Sequence, residues 1–242
     1  MKFTLSTLFV VTAPDAGKHP PYHHGNLRHA LVQAGTELAR EGGPSAIVLR
    51  EAARRVGVSP NAAYRHFSAL PDLVEAVAFD ALSALARSME AELAKRRPTG
   101  DAGRDAIDRL DAVGRGYIHF ALNEPGLFAT AFAPRKATPH TGDVPVRPGE
   151  IAAHSEDDLR GAGDSGLRPG ELLEQALDGM LDAGVLDAAD RNIAATNAWA
   201  AVHGLSGLLL GPLAGQAPSA REVLIDAFLD LVGRGLITRR TI

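Results

Sequence analysis

Val48-Leu49-Arg50-Glu51-Ala52-Ala53-Arg54-Arg55-Val56-Gly57-Val58-Ser59-Pro60-Asn61-Ala62-Ala63-Tyr64-Arg65-His66-Phe67 carries two helical patterns separated by one sharp turn. Leu49, Ala52, Ala53 and Val56 fall on one face of a first short helix, which leaves Arg50, Arg54 and Arg55 pointing away. Gly57 stands where the chain must reverse, a place that favours a residue tolerant of positive φ. Ser59 reads as an N-cap and Pro60 as the first helical position after it. Ala63 and Phe67, at helical spacing, bury the second helix, so Asn61, Ala62, Tyr64 and His66 are left on its other faces. Two short helices joined this way form a helix-turn-helix, whose second member fits the major groove of a DNA duplex.

The rest of the composition is compatible with such a unit. The chain has 242 residues, 45% of them apolar and 5% aromatic, which suits a folded protein leaning toward helix rather than strand. A formal net charge of −4 argues against a surface that coats nucleic acid everywhere. Between Lys18 and Asp72, however, Lys18, Arg28, Arg40, Arg50, Arg54, Arg55 and Arg65 outnumber Glu37, Glu41, Glu51 and Asp72, so the basic charge is local. The absence of cysteine removes disulfides, thiolate metal sites and cysteine nucleophiles, and agrees with a reducing cytoplasm. Residues 1–11 imitate a short signal peptide but lack a small-x-small cleavage triplet, and no apolar run is expected to be long enough to span a membrane. There is no Gly-x-Ser-x-Gly elbow, phosphate-cradling glycine loop or His-Glu-x-x-His motif. The adjacent His23 and His24 lack convergent partners for a metal. The expectation is a protein that is not an enzyme, with no catalytic residue, cofactor or metal.

Outside the central segment the chain reads as one helix after another. Residues 1–21 form an expected arm, rich in proline and glycine at its end. Asn26 is expected to cap a first helix with Leu27, Leu31, Ala34 and Leu38 on one stripe, ending near Gly42-Gly43-Pro44. Ser68 is expected to cap a long fourth helix with Leu73, Val77, Ala81, Ala84, Leu85, Met89 and Leu93 inward, stopped by Pro98-Thr99-Gly100. Ile107, Leu110, Tyr117, Ile118 and Ala121 mark a fifth helix, broken at residues 123–126. Residues 134–170 are predicted to be mostly a mobile loop, with a helical piece near 151–159. Further helices follow around Leu172–Leu181, Ala194–Leu213 and Val223–Val232. The last two are too apolar to face solvent all round, so something must cover them.

The order of these residues resembles the tetracycline-repressor (TetR) family of one-component transcription regulators. The resemblance lies in Leu49-Arg50-Glu51-Ala52-Ala53, Gly57-Val58-Ser59 and Ala63-Tyr64-Arg65-His66-Phe67, with Tyr22-His23-His24-Gly25-Asn26-Leu27-Arg28 leading in. A later Trp199-x-x-x-His203-Gly204 looks like the signature of one branch. The resemblance implies an all-α chain with a three-helix head at 22–70 and a helical ligand-binding and dimerisation domain at 71–242. It places Arg50 where a base-reading side chain stands and Tyr64 and His66 where the backbone is approached. Ser59, Pro60, Asn61 and Ala62 complete the expected DNA-binding set, with Asn61 suited to adenine and Ala62 to a thymine methyl. Phosphate contacts from Arg54 and Arg55 would set position rather than sequence choice. Lys18 and His19 of the arm could reach a neighbouring groove. Tyr117, Phe120, Phe128, Phe132, Trp199 and His203 are the expected ligand-lining groups, with His119 and His203 as polar candidates and Gly204 as a point of close helix approach. The implied partners are operator DNA, a second copy of the chain and a small-molecule effector, without a membrane; the last two helices, Phe228 among them, would form the dimer seam. Two residues depart from the family pattern. Val48 stands where Ser or Thr caps the second helix, and Leu70 where Lys is usual. They keep open an alternative, a helical partner-binding or scaffold protein with weakened DNA affinity.

Overall fold

The computed structural model describes residues 24–134 and 160–237. The expected arm, with Lys18 and His19, and most of the expected loop, with its helical piece near 151–159, lie outside the described residues. Among the described residues there are nine helices and no strand, so the fold is all-helical.

Three helices build the head. α1 (His24–Gly42) buries Leu31, Ala34 and Leu38. Asn26 lies inside this helix rather than capping it, because α1 already begins at His24. Gly43, at φ 70°, turns the chain into a short 3-10 turn at Pro44–Ala46. α2 (Leu49–Val56) then buries Leu49, Ala52 and Ala53, and α3 (Pro60–Tyr64) buries Ala63. Phe67, just beyond α3, closes this core with the Arg28 guanidinium stacked 5.1 Å over its ring.

α4 (Leu70–Ala94) connects head and body. Its buried residues Leu73, Val77, Ala81, Leu85 and Met89 recur at helical spacing, whereas Ala84 and Leu93 are only partly covered. The helix is capped differently from the expectation. Asp72 accepts from the Ala69 N–H and the Ser68 hydroxyl, so Ser68 donates from outside the helix while the carboxylate of the first turn does the capping. α5 (Ala102–Asn123) starts on Asp101, which accepts from the Arg104 N–H at 2.9 Å. α6 (Pro125–Ala131) follows after a one-residue break.

The body is completed by α7 (Pro169–Asp182), α8 (Arg191–Leu210) and α9 (Pro218–Leu236). α7 begins inside the segment expected to be loop, where Glu171 accepts from the Arg168 N–H at 2.7 Å. By length and composition α8 could cross a bilayer, contrary to the expectation that no run is long enough. One side of it, including Ala194, Ala198, Val202, Leu205 and Leu209, is buried in the core. Gly204 is exposed, and a Cβ there would meet nothing within 4 Å. The expected close helix approach at Gly204 is therefore not made within the protomer. The close approaches lie elsewhere: a Cβ on Gly116 would stand 2.4 Å from Met89 Cα, and one on Gly126 would stand 2.0 Å from the Ala39 carbonyl oxygen. α5 thus crosses α4 backbone to backbone, and α6 sits directly on the end of α1.

Candidate nucleic-acid interface and ligand pocket

The turn between α2 and α3 is made by local chemistry. Gly57 adopts the left-handed conformation at φ 77° and ψ 29°, and its N–H and that of Val58 return to carbonyls at the end of α2. The Ser59 hydroxyl accepts from the Ala62 N–H at 3.3 Å, and Pro60 occupies the first turn, where a missing N–H costs nothing. Ser59 and Pro60 therefore set the start of α3. Asn61 is exposed, Ala62 and His66 are half-covered, and Tyr64 is 46% exposed. Tyr64 therefore stands outside the head's core.

Charge separates the arginines of α2. Arg54 donates to Glu51 through Nε and Nη2 at 2.8 and 2.7 Å. Arg55 donates to Glu41 through Nη1 and Nη2 at 2.9 and 2.7 Å and to Glu51 through Nε at 3.2 Å. These two guanidiniums, Arg54 first and Arg55 second, hold the Glu51 carboxyl down to about 2. Among the described residues Arg50 and Arg65 make no ion pair and are exposed. Val48 occupies the N-cap of α2 without a side-chain bond, at 45% exposure, and Leu70 at the start of α4 is 42% exposed. Both put apolar surface where the family pattern has a polar group.

The second site lies in the body. A crevice among α4, α5, α7, α8 and α9 opens to solvent and holds a cavity of about 70 Å³. Tyr117, Phe132 and Trp199 line it. Phe128 and His203 join Tyr117 and Phe132 in one ring cluster, with Phe132–His203 centroids at 5.0 Å, Phe128–Phe132 at 5.1 Å and Tyr117–Phe128 at 5.7 Å edge-on. Trp199 meets this cluster through His203 at 6.0 Å. Five of the six expected ligand residues are thus brought together. Phe120 is buried, does not line the crevice, and belongs to the core.

One hydrogen bond orders the cluster. The Tyr117 hydroxyl lies 2.8 Å from His203 Nδ1. Burial pushes the Tyr117 phenol well above its usual value and lowers the pKa of His203, so the bond joins a neutral phenol to a neutral imidazole. His119, the other polar candidate, instead bridges Glu92 at 3.1 Å and Glu222 at 3.3 Å outside the crevice. Asp111 and Arg168 are the charged groups that do line it, and sequence patterning singled out neither. A carboxylate on an amphipathic helix ordinarily marks the solvated face, so no local signal distinguishes Asp111.

Comparison with known proteins fits this anatomy. The profile described as "Tetracyclin repressor-like, C-terminal domain" matches residues 110–232, which is 123 of the 242. The profile "Bacterial regulatory proteins, tetR family" matches residues 31–77. No curated protein is significantly similar to the chain. Among solved structures, a protein with unknown function from Rhodococcus sp. RHA1 is similar at a TM-score of 0.66 and 24% identity, covering 91% of this chain and 100% of its own. RolR in complex with resorcinol gives 0.54 at 16% identity, over 90% of this chain and 96% of its own. A TetR variant from Acinetobacter baumannii AYE in complex with minocycline gives 0.53 at 17% identity, over 85% and 93%. These structural likenesses speak for the fold alone. The head at the amino end, the helical body behind it and the profiles that match each lead to one conclusion: the chain belongs to the TetR family and is a helix-turn-helix, DNA-binding transcriptional regulator.

Proposed function

We propose that the protein is a homodimeric, cytoplasmic repressor that leaves its operator when a small molecule fills the crevice. In this reading residues 22–70 read DNA and the helices beyond bind ligand and partner. Arg50 donates to guanine O6 and N7, Asn61 addresses adenine, and Tyr64 and His66 approach the phosphate backbone, with Ser59, Pro60 and Ala62 presenting α3 to the groove. Two heads about 34–36 Å apart enter one face of the duplex.

The observation that carries the regulatory part is the double contact of α6. Its Phe128 stands in the ring cluster, while Gly126 two residues earlier rests on the Ala39 carbonyl of α1. The Arg40–Glu124 ion pair, at 3.1 Å, lies beside that contact. A ligand that moves the rings bears on the head through seven residues of helix. It shifts the equilibrium between head spacings by no more than its difference in affinity for the two states. That two proteins of this fold carry resorcinol and minocycline supports the reading of the crevice as a ligand site.

The test is a footprint and an anisotropy titration on the DNA upstream of the chain's own gene, with and without a small-molecule extract of the cell. Salt-sensitive, sequence-selective binding with Kd of roughly 10⁻⁸–10⁻¹¹ M is expected, weaker if Val48 and Leu70 cost phosphate contacts. Release by an extract fraction is the expected response. Binding that no fraction alters would overturn the effector role, and equal affinity for all sequences would favour the scaffold alternative.

A further inference from the structure

The crevice holds one carboxylate with no bonded partner. Asp111 lines it from α5, half-buried, and among the described residues it makes no hydrogen bond and no ion pair. Arg168, the other charged lining group, is engaged by Glu171, with Nε and Nη2 at 3.2 and 2.7 Å from Oε1. Among its neighbours Arg96 and Arg115 favour its charge and Asp108 and Asp230 oppose it, and none of them bonds it. Arg115 is itself held by Asp226 at 2.6 Å. Burial lifts the Asp111 carboxyl above the ordinary aspartate value, the response of a carboxylate that has lost water without gaining a partner. On the α9 side, Asp111 Oδ1 lies against buried Gly233, where a Cβ would stand 3.4 Å from it, so α9 desolvates the carboxylate at a residue with no side chain to bond it.

The helix sets the distance to the aromatic end. Asp111 and Tyr117 are six residues apart on α5, a rise of about 9 Å, and Gly114 lines the crevice between them. We infer that the effector is an amphiphilic cation, with a protonated amine at Asp111 and an apolar, ring-bearing body reaching Tyr117, Phe132 and Trp199. This inference rests on the ligand reading of the crevice given above. An ammonium gives the carboxylate the partner that desolvation demands, whereas a neutral isostere leaves it unsatisfied and an anion adds like charge. Tyr117, a helix rise of about 9 Å from Asp111, is placed to meet the body rather than the ammonium.

The chain has one tryptophan, and Trp199 lines the crevice, so its fluorescence reports occupancy. The full-length protein is titrated with phenylbutylamine, phenylbutanol and phenylbutyrate at neutral pH, with calorimetry in parallel. The amine is expected to bind at least about tenfold more tightly than the alcohol, the scale of a charge-assisted hydrogen bond, and the acid most weakly. Asp111→Asn should erase the amine's advantage while leaving the alcohol within about twofold, and Asp111→Glu should keep it. Thermal melts of both variants show that they fold. An amine no better than the alcohol, or an advantage that survives Asp111→Asn, overturns the assignment while leaving the ligand pocket standing. If none of the three changes Trp199 emission or releases heat, both the assignment and the pocket reading on which it rests fall.

Discussion

Arg50 differs from its neighbours in what its guanidinium is free to do. Arg54 and Arg55 are committed to Glu51 and Glu41, whereas Arg50 is exposed on the first turn of α2. Replacing Arg50 with Ala should cost about 1–3 kcal/mol of discrimination at one base pair. The measurement is the ratio of affinities for the operator and a copy substituted at that pair; the same loss on every sequence would reassign Arg50 to phosphate. A second residue, His203, carries a pH signature. Its imidazole shares a hydrogen bond with the Tyr117 hydroxyl, and burial holds its pKa below the ordinary 6.5. The unfolded chain therefore binds this proton more readily than the folded one, so the stabilising contribution is whole above 6.5 and is lost as pH falls toward the lowered value. Glu51, at about 2, remains ionised through that window. Asp111, with its raised pKa, acts with the opposite sign. Melting temperature should fall in that window for the natural chain and fall less for His203→Gln; parallel curves would remove His203 as the source.

At the scale of elements, two glycine contacts hold the helices at backbone distance. Where α5 crosses α4, the Ser88 hydroxyl donates to the Gly116 carbonyl at 2.8 Å, and a Cβ on Gly116 would collide with the Met89 backbone. Backbone has no rotamer to yield. Gly116→Ala should therefore destabilise the chain by about 1–3 kcal/mol or more, read as a lower denaturation midpoint. Gly179→Ala is the matched control within α7, since a Cβ at that position would meet nothing within 4 Å, and helix propensity favours alanine by up to about 1 kcal/mol. Equal damage from both substitutions would mean that close packing at Gly116 is not the cause.

For the whole molecule, the unanswered surface is the outer side of α8 and α9. Val223 is 68% and Leu231 63% exposed on α9, and Ile193 and Leu208 are exposed on α8 beside Gly204 and Gly207. Apolar side chains spaced along two adjacent helices suit an isologous contact with a second copy. Leu231→Glu should shift the protein from dimer to monomer in light scattering, with its own helical content retained. An unchanged dimer would place the seam elsewhere. Phe228, expected on that seam, is half-buried and packed against the protomer's core, so it is the wrong residue for this test. The reason is the helical period: Val223, Ala227 and Leu231 share the outer stripe, while Ile225, Phe228 and Leu229 turn inward.

The amino-acid order alone was enough for the helix-turn-helix, the buried faces of α2 to α5 and the break before α6. Each of these depends on residues within a turn or two of one another, where periodicity and cap chemistry act. It could not tell Phe120, which ended in the core, from Phe128, which ended in the ring cluster, since both are aromatic residues on helices with an apolar side. Nor could it mark Asp111, which looks like any solvated carboxylate until α9 comes to rest beside it with a glycine at the point of approach. Desolvation and the lack of a partner depend on what distant segments bring to a group or withhold from it, and only the tertiary structure decides that.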